Sequence, residues 1–196
     1  MKWYQAVVVT VFIASIQACG SKPLILPGGT TLSYDLVMNQ KPVRLTAKVE
    51  QFNPQLVFDY NVENEGIKGR FTVTQEALMV GTEIDHLFTG EAKTLTKTTS
   101  LRISDSTFHQ LKNDGEAILS FRQGFLKNEN IYKVVDNQTT TINFNDKPKT
   151  VDVLYLEDIH GKEFKFWIWD NPKNPIIIRM DVGWQMLLKN IETTLD

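Results

Sequence analysis

From residue 31 onward, apolar and polar side chains alternate with a period of two. Leu32, Tyr34, Leu36 and Met38 are interleaved with Ser33, Asp35 and Val37, and Val43, Leu45, Ala47 and Val49 with Arg44, Thr46, Lys48 and Glu50. Leu56, Phe58, Tyr60 and Val62 follow, then Ile67, Gly69, Phe71 and Val73, with the turn-forming stretches MNQKP, FNP and ENEG in between. Successive side chains of an extended backbone point to opposite faces, so each segment predicts a strand with one face in a core and one in water. Four such strands joined by short turns predict an antiparallel meander.

The middle of the chain is less regular. A short helix is expected to begin at Gln75 and to pass into loop. In ISDSTFHQLKNDG, Asp105 or Ser106 can accept from the free N–H groups of a first turn, Phe108 and Leu111 share a face, and Gly115 is placed to end the helix. Strands are expected on either side, at residues 101–104 and 117–121. Strand patterns then return in IYKVV, TTINF and VDVLYLED, bounded by DNQ, NDKPK and IHGK. EFKFWIWD and the turn NPKNP lead into one long strand, where Ile176, Ile178, Met180, Val182, Trp184, Met186 and Leu188 are apolar at a single parity. Such a run does not fit the 3.6-residue period of a helix. The expected fold is all-β with minor α: one strongly bent antiparallel sheet or open barrel, about nine or ten strands with one or two short helices. Residues 30–196 form its single domain.

The N-terminus carries a different pattern. Lys2 precedes AVVVTVFIASI, an apolar run that is well short of the roughly 20 residues a spanning helix needs. It fits a secretory signal peptide over residues 1–18. The residues IQA before Cys19 resemble the lipobox of bacterial lipoproteins, with aliphatic Ile16 and small Ala18 ahead of the cysteine. The resemblance implies cleavage before Cys19, a diacylglycerol on its sulfur and acylation of its new amino group. Each buried CH2 contributes about 0.8 kcal/mol, so several chains make a lasting membrane anchor. Residues 19–29, with GSKPLILPGG, are then expected to be a lipidated tether. Gly20 stands where an acidic residue often signals inner-membrane retention in that family, so the resemblance points to the outer membrane; the expected location is the cell envelope, facing the periplasm.

ISDSTFHQLKNDG, together with the terminal FWIWDNPKNPIIIRMDVGWQMLLKNIE, resembles uncharacterised envelope lipoproteins and periplasmic domains of Gram-negative bacteria. The resemblance covers most of residues 30–192. It implies an antiparallel, barrel-like sheet, broadly similar to the unclosed barrels of periplasmic lipoprotein carriers, and it brings no catalytic residue with it.

Composition narrows the chemistry. The chain has 42% hydrophobic and 22% charged residues and a net charge of -2, within the range of a globular domain. No basic stripe with interleaved aromatics is present, so no nucleic-acid partner is expected. One cysteine excludes an intrachain disulfide framework and a cysteine-rich zinc site. His86, His109 and His160 fall in an expected loop, helix surface and turn, where solvation is the expectation rather than a shared metal site. The spacing of Asp158 and His160 does put both on one face of an extended chain. The adjacent carboxylates of Glu157 and Asp158 are expected in a solvated turn, and no GxSxG elbow occurs. Neither a cofactor nor an enzymatic activity is therefore expected.

The strand FKFWIWD stands apart because it is apolar on both faces. Phe164, Phe166 and Ile168 point one way, and Lys165, Trp167 and Trp169 the other. Both faces need a cover. The short helix near Phe108 is the expected cover for the second face; the alternative is a ligand or partner groove at Trp167, Trp169 and Lys165. The functional expectation is a non-enzymatic envelope lipoprotein, held to a membrane by its lipid anchor, that binds a lipid or other apolar ligand or an envelope protein partner. The alternative is a structural or interaction module with a self-filled core. A hydrolase or metal-binding enzyme comes last.

Overall fold

The computed structural model describes residues 23–38, 41–123, 126–160 and 164–195. Cys19 and the expected signal peptide lie outside the described residues. Strands β1 (Thr31–Met38), β2 (Lys41–Gln51), β3 (Leu56–Val62) and β4 (Ile67–Val73) form the expected antiparallel meander. After helix α1 (Gln75–Val80) come three short strands, β5 (Glu83–Ile84), β6 (Ala92–Leu95) and β7 (Thr98–Thr99). Helix α2 (Asp105–Asn113) leads into β8 (Glu116–Gln123), β9 (Leu126–Phe144), β10 (Lys147–Asp158), β11 (Lys165–Trp169), β12 (Ile177–Asp181) and β13 (Gln185–Glu192).

All thirteen strands belong to one sheet, in the order β6-β4-β3-β2-β1-β13-β12-β11-β10-β9-β8-β5-β7. The fold is thus all-β with two short helices, as expected, but with more strands than the nine or ten counted from alternation. Most pairings are antiparallel; β6 joins β4, and β5 joins β7 and β8, in parallel. The sheet curls far enough for β13 to touch β9 in parallel at Asn190–Asn143 and Ile191–Phe144. It does not close as a whole. Its two edges face each other across a seam bridged by side chains: the Lys93 ammonium of β6 lies 3.4 Å from the Asp85 carboxylate that follows β5.

Several boundaries differ from expectation. The stretch DNQ makes no turn, and β9 runs through it opposite β10, with Gln138 facing Val153. The long C-terminal strand is a hairpin instead, turning at residues 182–184 with Gly183 at φ +90°. Met180 faces Met186 across that hairpin, and Arg179 faces Leu187. Partners of equal parity keep one set of side chains on one face, so period two continues unbroken through the turn. Residues 101–104 form no strand; Arg102 makes a single bridge to Ile176. The cap of α2 is Ser104 rather than Asp105 or Ser106, its hydroxyl accepting from the Thr107 N–H at 3.2 Å.

The interior is filled by the chain's own side chains. Phe166 packs edge-on against Tyr132 at 5.1 Å and lies 6.1 Å from Phe121, and all three are buried. Tyr34 is wholly buried on β1, and its hydroxyl has no hydrogen-bond partner. Burial raises its pKa far above the usual phenol value. An unmatched buried hydroxyl costs about 1–3 kcal/mol. Tyr34→Phe removes only that group, so urea unfolding should show the variant more stable than wild type by about 1 kcal/mol. A less stable variant would mean the hydroxyl does make a bond.

The N-terminal segment is part of this structure. Leu26 is buried, the Gly29 N–H donates to the Val49 carbonyl at 2.8 Å, and Val49 N–H donates to Thr30 O at 2.8 Å. Upstream, the side-chain amides of Asn171 and Asn174 both donate to the Leu24 carbonyl, at 2.8 and 3.0 Å. Much of the expected tether over residues 19–29 is therefore fixed to the domain from Leu24 onward.

Candidate functional site

One end of the curled sheet holds an apolar pocket of about 320 Å3. It is built where strands end or begin: Leu36 on β1, Val43 on β2, Val62 on β3 and Ile67 on β4. Trp184, from the β12–β13 turn, and Phe88, from the loop after β5, supply aromatic walls. Glu65, Thr89 and His86 add the polar groups. Ligand pockets commonly hold about 300–1,000 Å3 with mostly apolar walls and a few polar groups, so this one sits at the small end of that range.

The Phe88 loop is held in place by a cross-strand arrangement. Tyr60 on β3 pairs with Gly69 on β4. A Cβ at Gly69 would lie 2.4 Å from the Tyr60 hydroxyl oxygen and 2.7 Å from the Glu91 carbonyl oxygen. Only a residue without a side chain leaves room for that ring and loop. The Tyr60 hydroxyl then accepts from the Gly90 N–H at 2.8 Å. Phe88 stacks on Phe71 at 5.8 Å and meets Tyr60 edge-on at 5.1 Å. Two aromatic contacts and one hydrogen bond thus pin the loop over the pocket.

His86 differs most from its sequence reading. It is 7% exposed, between Trp184 at 5.4 Å and Phe121 at 6.0 Å, and not solvated in a loop. Burial lowers its pKa; the Asp85 charge and the nearby Ile84 carbonyl oppose this, without Nδ1 reaching hydrogen-bonding geometry. The ring also borders a second, more polar pocket of about 290 Å3 in the seam, lined by Glu83, Asp85, Lys93 and Thr98. His109 and His160 are exposed, as expected. Asp158 is buried at the end of β10, not solvated; one oxygen accepts from the His160 N–H at 2.7 Å. Among the described residues, no three histidine, cysteine or carboxylate side chains are grouped to hold a metal ion.

The aromatic strand β11 lies away from this pocket. Trp167 is half-buried: Tyr155 stacks on it at 4.8 Å, the Arg179 guanidinium covers it at 4.5 Å, and its indole N–H donates to Gln138 at 3.3 Å. Trp169 is buried, with Phe144 edge-on at 5.8 Å. It shares a depression with Pro23, Leu24 and Lys149. Lys165 is half-exposed, 3.6 Å from the Glu157 carboxylate. The helix expected to cover this face packs chiefly on β8 and α1 instead, with Lys112 reaching Asp170 at 2.8 Å just past β11. The three residues Lys165, Trp167 and Trp169 thus have protein neighbours of their own along the strand. The pocket at the far end was not read from the sequence, because its lining comes from segments spread over some 150 residues.

No family model matches this chain, and no curated protein or solved structure matches it. Fold and site together define an all-β domain, an incompletely closed curl of sheet with a small apolar pocket at one end.

Proposed function

We propose that this chain is a lipid-anchored protein of the bacterial cell envelope whose domain binds an apolar ligand and catalyses no reaction. The apolar end pocket framed by Leu36, Val62, Ile67, Phe88 and Trp184 carries the ligand reading. The anchor reading rests on the lipobox-like IQA ahead of Cys19. Attachment to the outer membrane draws its support from Gly20 at the retention position, and the proposed site of action is its periplasmic side. The alternative, a module with a self-filled core that acts through an envelope partner, draws its support from the packing of Phe121, Tyr132 and Phe166 in the interior. A ligand would therefore sit at the end of the curl, not along its axis.

Two measurements test the two halves. Labelling with radioactive palmitate should mark the wild type and leave Cys19→Ser unlabelled and released from the membrane; equal labelling would sink the anchor. For the pocket, the neutral fluorophore N-phenyl-1-naphthylamine should bind the wild type and brighten. Ile67 is half-buried in the pocket wall, and Ile67→Trp should fill the space and abolish the signal. Ile25→Trp, on the exposed N-terminal segment, should leave it unchanged. Equal brightening with all three proteins would place the bound dye elsewhere and favour the self-filled module.

A further inference from the structure

The strand registers separate the pocket from the place where the chain leaves the domain. Thr31 begins β1 beside Glu192 and Lys48, and five residues later Leu36 lies in the pocket wall beside Val43 and Met186. At about 3.3 Å per residue, that is roughly 17 Å along one strand. Val62 and Ile67 sit at the same far end as Val43, through the β2–β3 and β3–β4 pairings. Leu24 lies beyond the Thr31 end, fixed by Asn171 and Asn174. The pocket and the emerging chain occupy opposite poles.

Five residue steps separate Cys19 from the fixed Leu24, and a fully extended chain covers at most about 18 Å in that many steps. A compact domain of some 170 residues has a radius of gyration of about 16 Å and hence a diameter of about 40 Å. An anchor with that reach cannot let the domain turn over, because inversion would carry Leu24 a whole diameter from the bilayer. We propose that the domain stands with its Leu24 pole against the surface of the membrane that carries its anchor, and its apolar pocket opening away from that membrane. This rests on the anchor reading above. Lys147, Lys149 and Lys173 are exposed near this pole, but so are Asp146 and Asp152. Chain length, not charge, therefore sets the orientation. Whatever fills the pocket then arrives from the aqueous side or from a facing partner, not by sliding sideways out of the anchoring bilayer.

The test uses the full chain, processed in the cell and reconstituted into phosphatidylcholine vesicles that contain a lipid with a nitroxide on its headgroup. Cys19 is the sole native cysteine and is consumed by the anchor, so a fluorophore can be placed on one added thiol at a time. Lys173→Cys labels the Leu24 pole, and Glu65→Cys labels the pocket rim. The fluorophore at 173 should be quenched several-fold more than that at 65, and high salt should not erase the difference. A long Gly/Ser insert between Ser21 and Lys22 should shrink it by extending the reach. Equal quenching at the two positions, or stronger quenching at 65, overturns the orientation. Mass spectrometry of the same samples separates the two failures: an unmodified Cys19 overturns the anchor reading, and the orientation with it.

Discussion

Phe71→Ala is expected to lower the unfolding free energy by about 3–5 kcal/mol, the usual cost of deleting a buried aromatic ring. Phe71 has no exposed surface, and it meets Phe58 at 5.4 Å and Tyr60 at 5.2 Å, both edge-on. Its other side carries Phe88, stacked at 5.8 Å. The variant should therefore lose more than stability. With the stacking partner gone, Phe88 and its loop lose one of their two aromatic contacts, and dye uptake by the pocket should fall in the protein that remains folded. Urea unfolding and dye titration below the transition measure the two effects separately. Unchanged uptake alongside the full loss of stability would show that Tyr60 alone holds the loop.

The second large effect divides the two tryptophans of β11. Trp169→Ala should cost about 3–5 kcal/mol, because the ring is buried and packed against Phe144. Trp167→Ala should cost less, about 2–3 kcal/mol, the combined size of one aromatic pair with Tyr155, one exposed cation–π contact with Arg179 and the indole hydrogen bond to Gln138. Neither change should alter dye uptake, since the pocket is walled by Trp184 and not by these rings. Matching losses of stability would mean that the outer stack is as tightly covered as the buried ring. Loss of uptake in Trp167→Ala would return the binding site to β11.

Alternation along the chain made the first four strands legible almost residue by residue, because each has one face in the core. The same signal failed at the C-terminus for a physical reason. In the β12–β13 hairpin the facing residues share parity, so Met180 and Met186 fall on one face and the alternation passes over Gly183 without a break. The polar letters of DNQ misled in the opposite direction. They lie in a β9 segment whose Asp136 and Asn137 are exposed, where polar side chains cost nothing. β5, β6 and β7 are too short, at two to four residues, to show any period. The alternation marks Leu36, Val43, Val62 and Ile67 as core-facing, and Leu36 and Val62 are indeed buried in the core with Val43 and Ile67 packed against it, but it does not show that the four also wall a pocket. That these side chains stop short of closing the end of the curl depends on how far the sheet bends, which no local pattern encodes. His86 was misread because its burial comes from Phe121 and Trp184, far along the chain.

The shortness of the terminal strands bears on how the protein behaves at high concentration. An open sheet offers two edges of unpaired backbone, and a long flat edge is a template on which another chain can add a strand. Here the sheet ends in β6, four residues long, and in β7, only two. The two ends lie across the seam from each other, where the ion pair of Lys93 with Asp85 occupies the gap. Helix α2 packs on β8, beside the stretch that β5 pairs only at Ser120 and Phe121. At its two terminal strands the curl thus presents little edge for strand addition without requiring a closed barrel. The longer open edge lies on β9 at residues 136–142, which pair with β10 alone and carry the exposed polar side chains of Asp136 and Asn137.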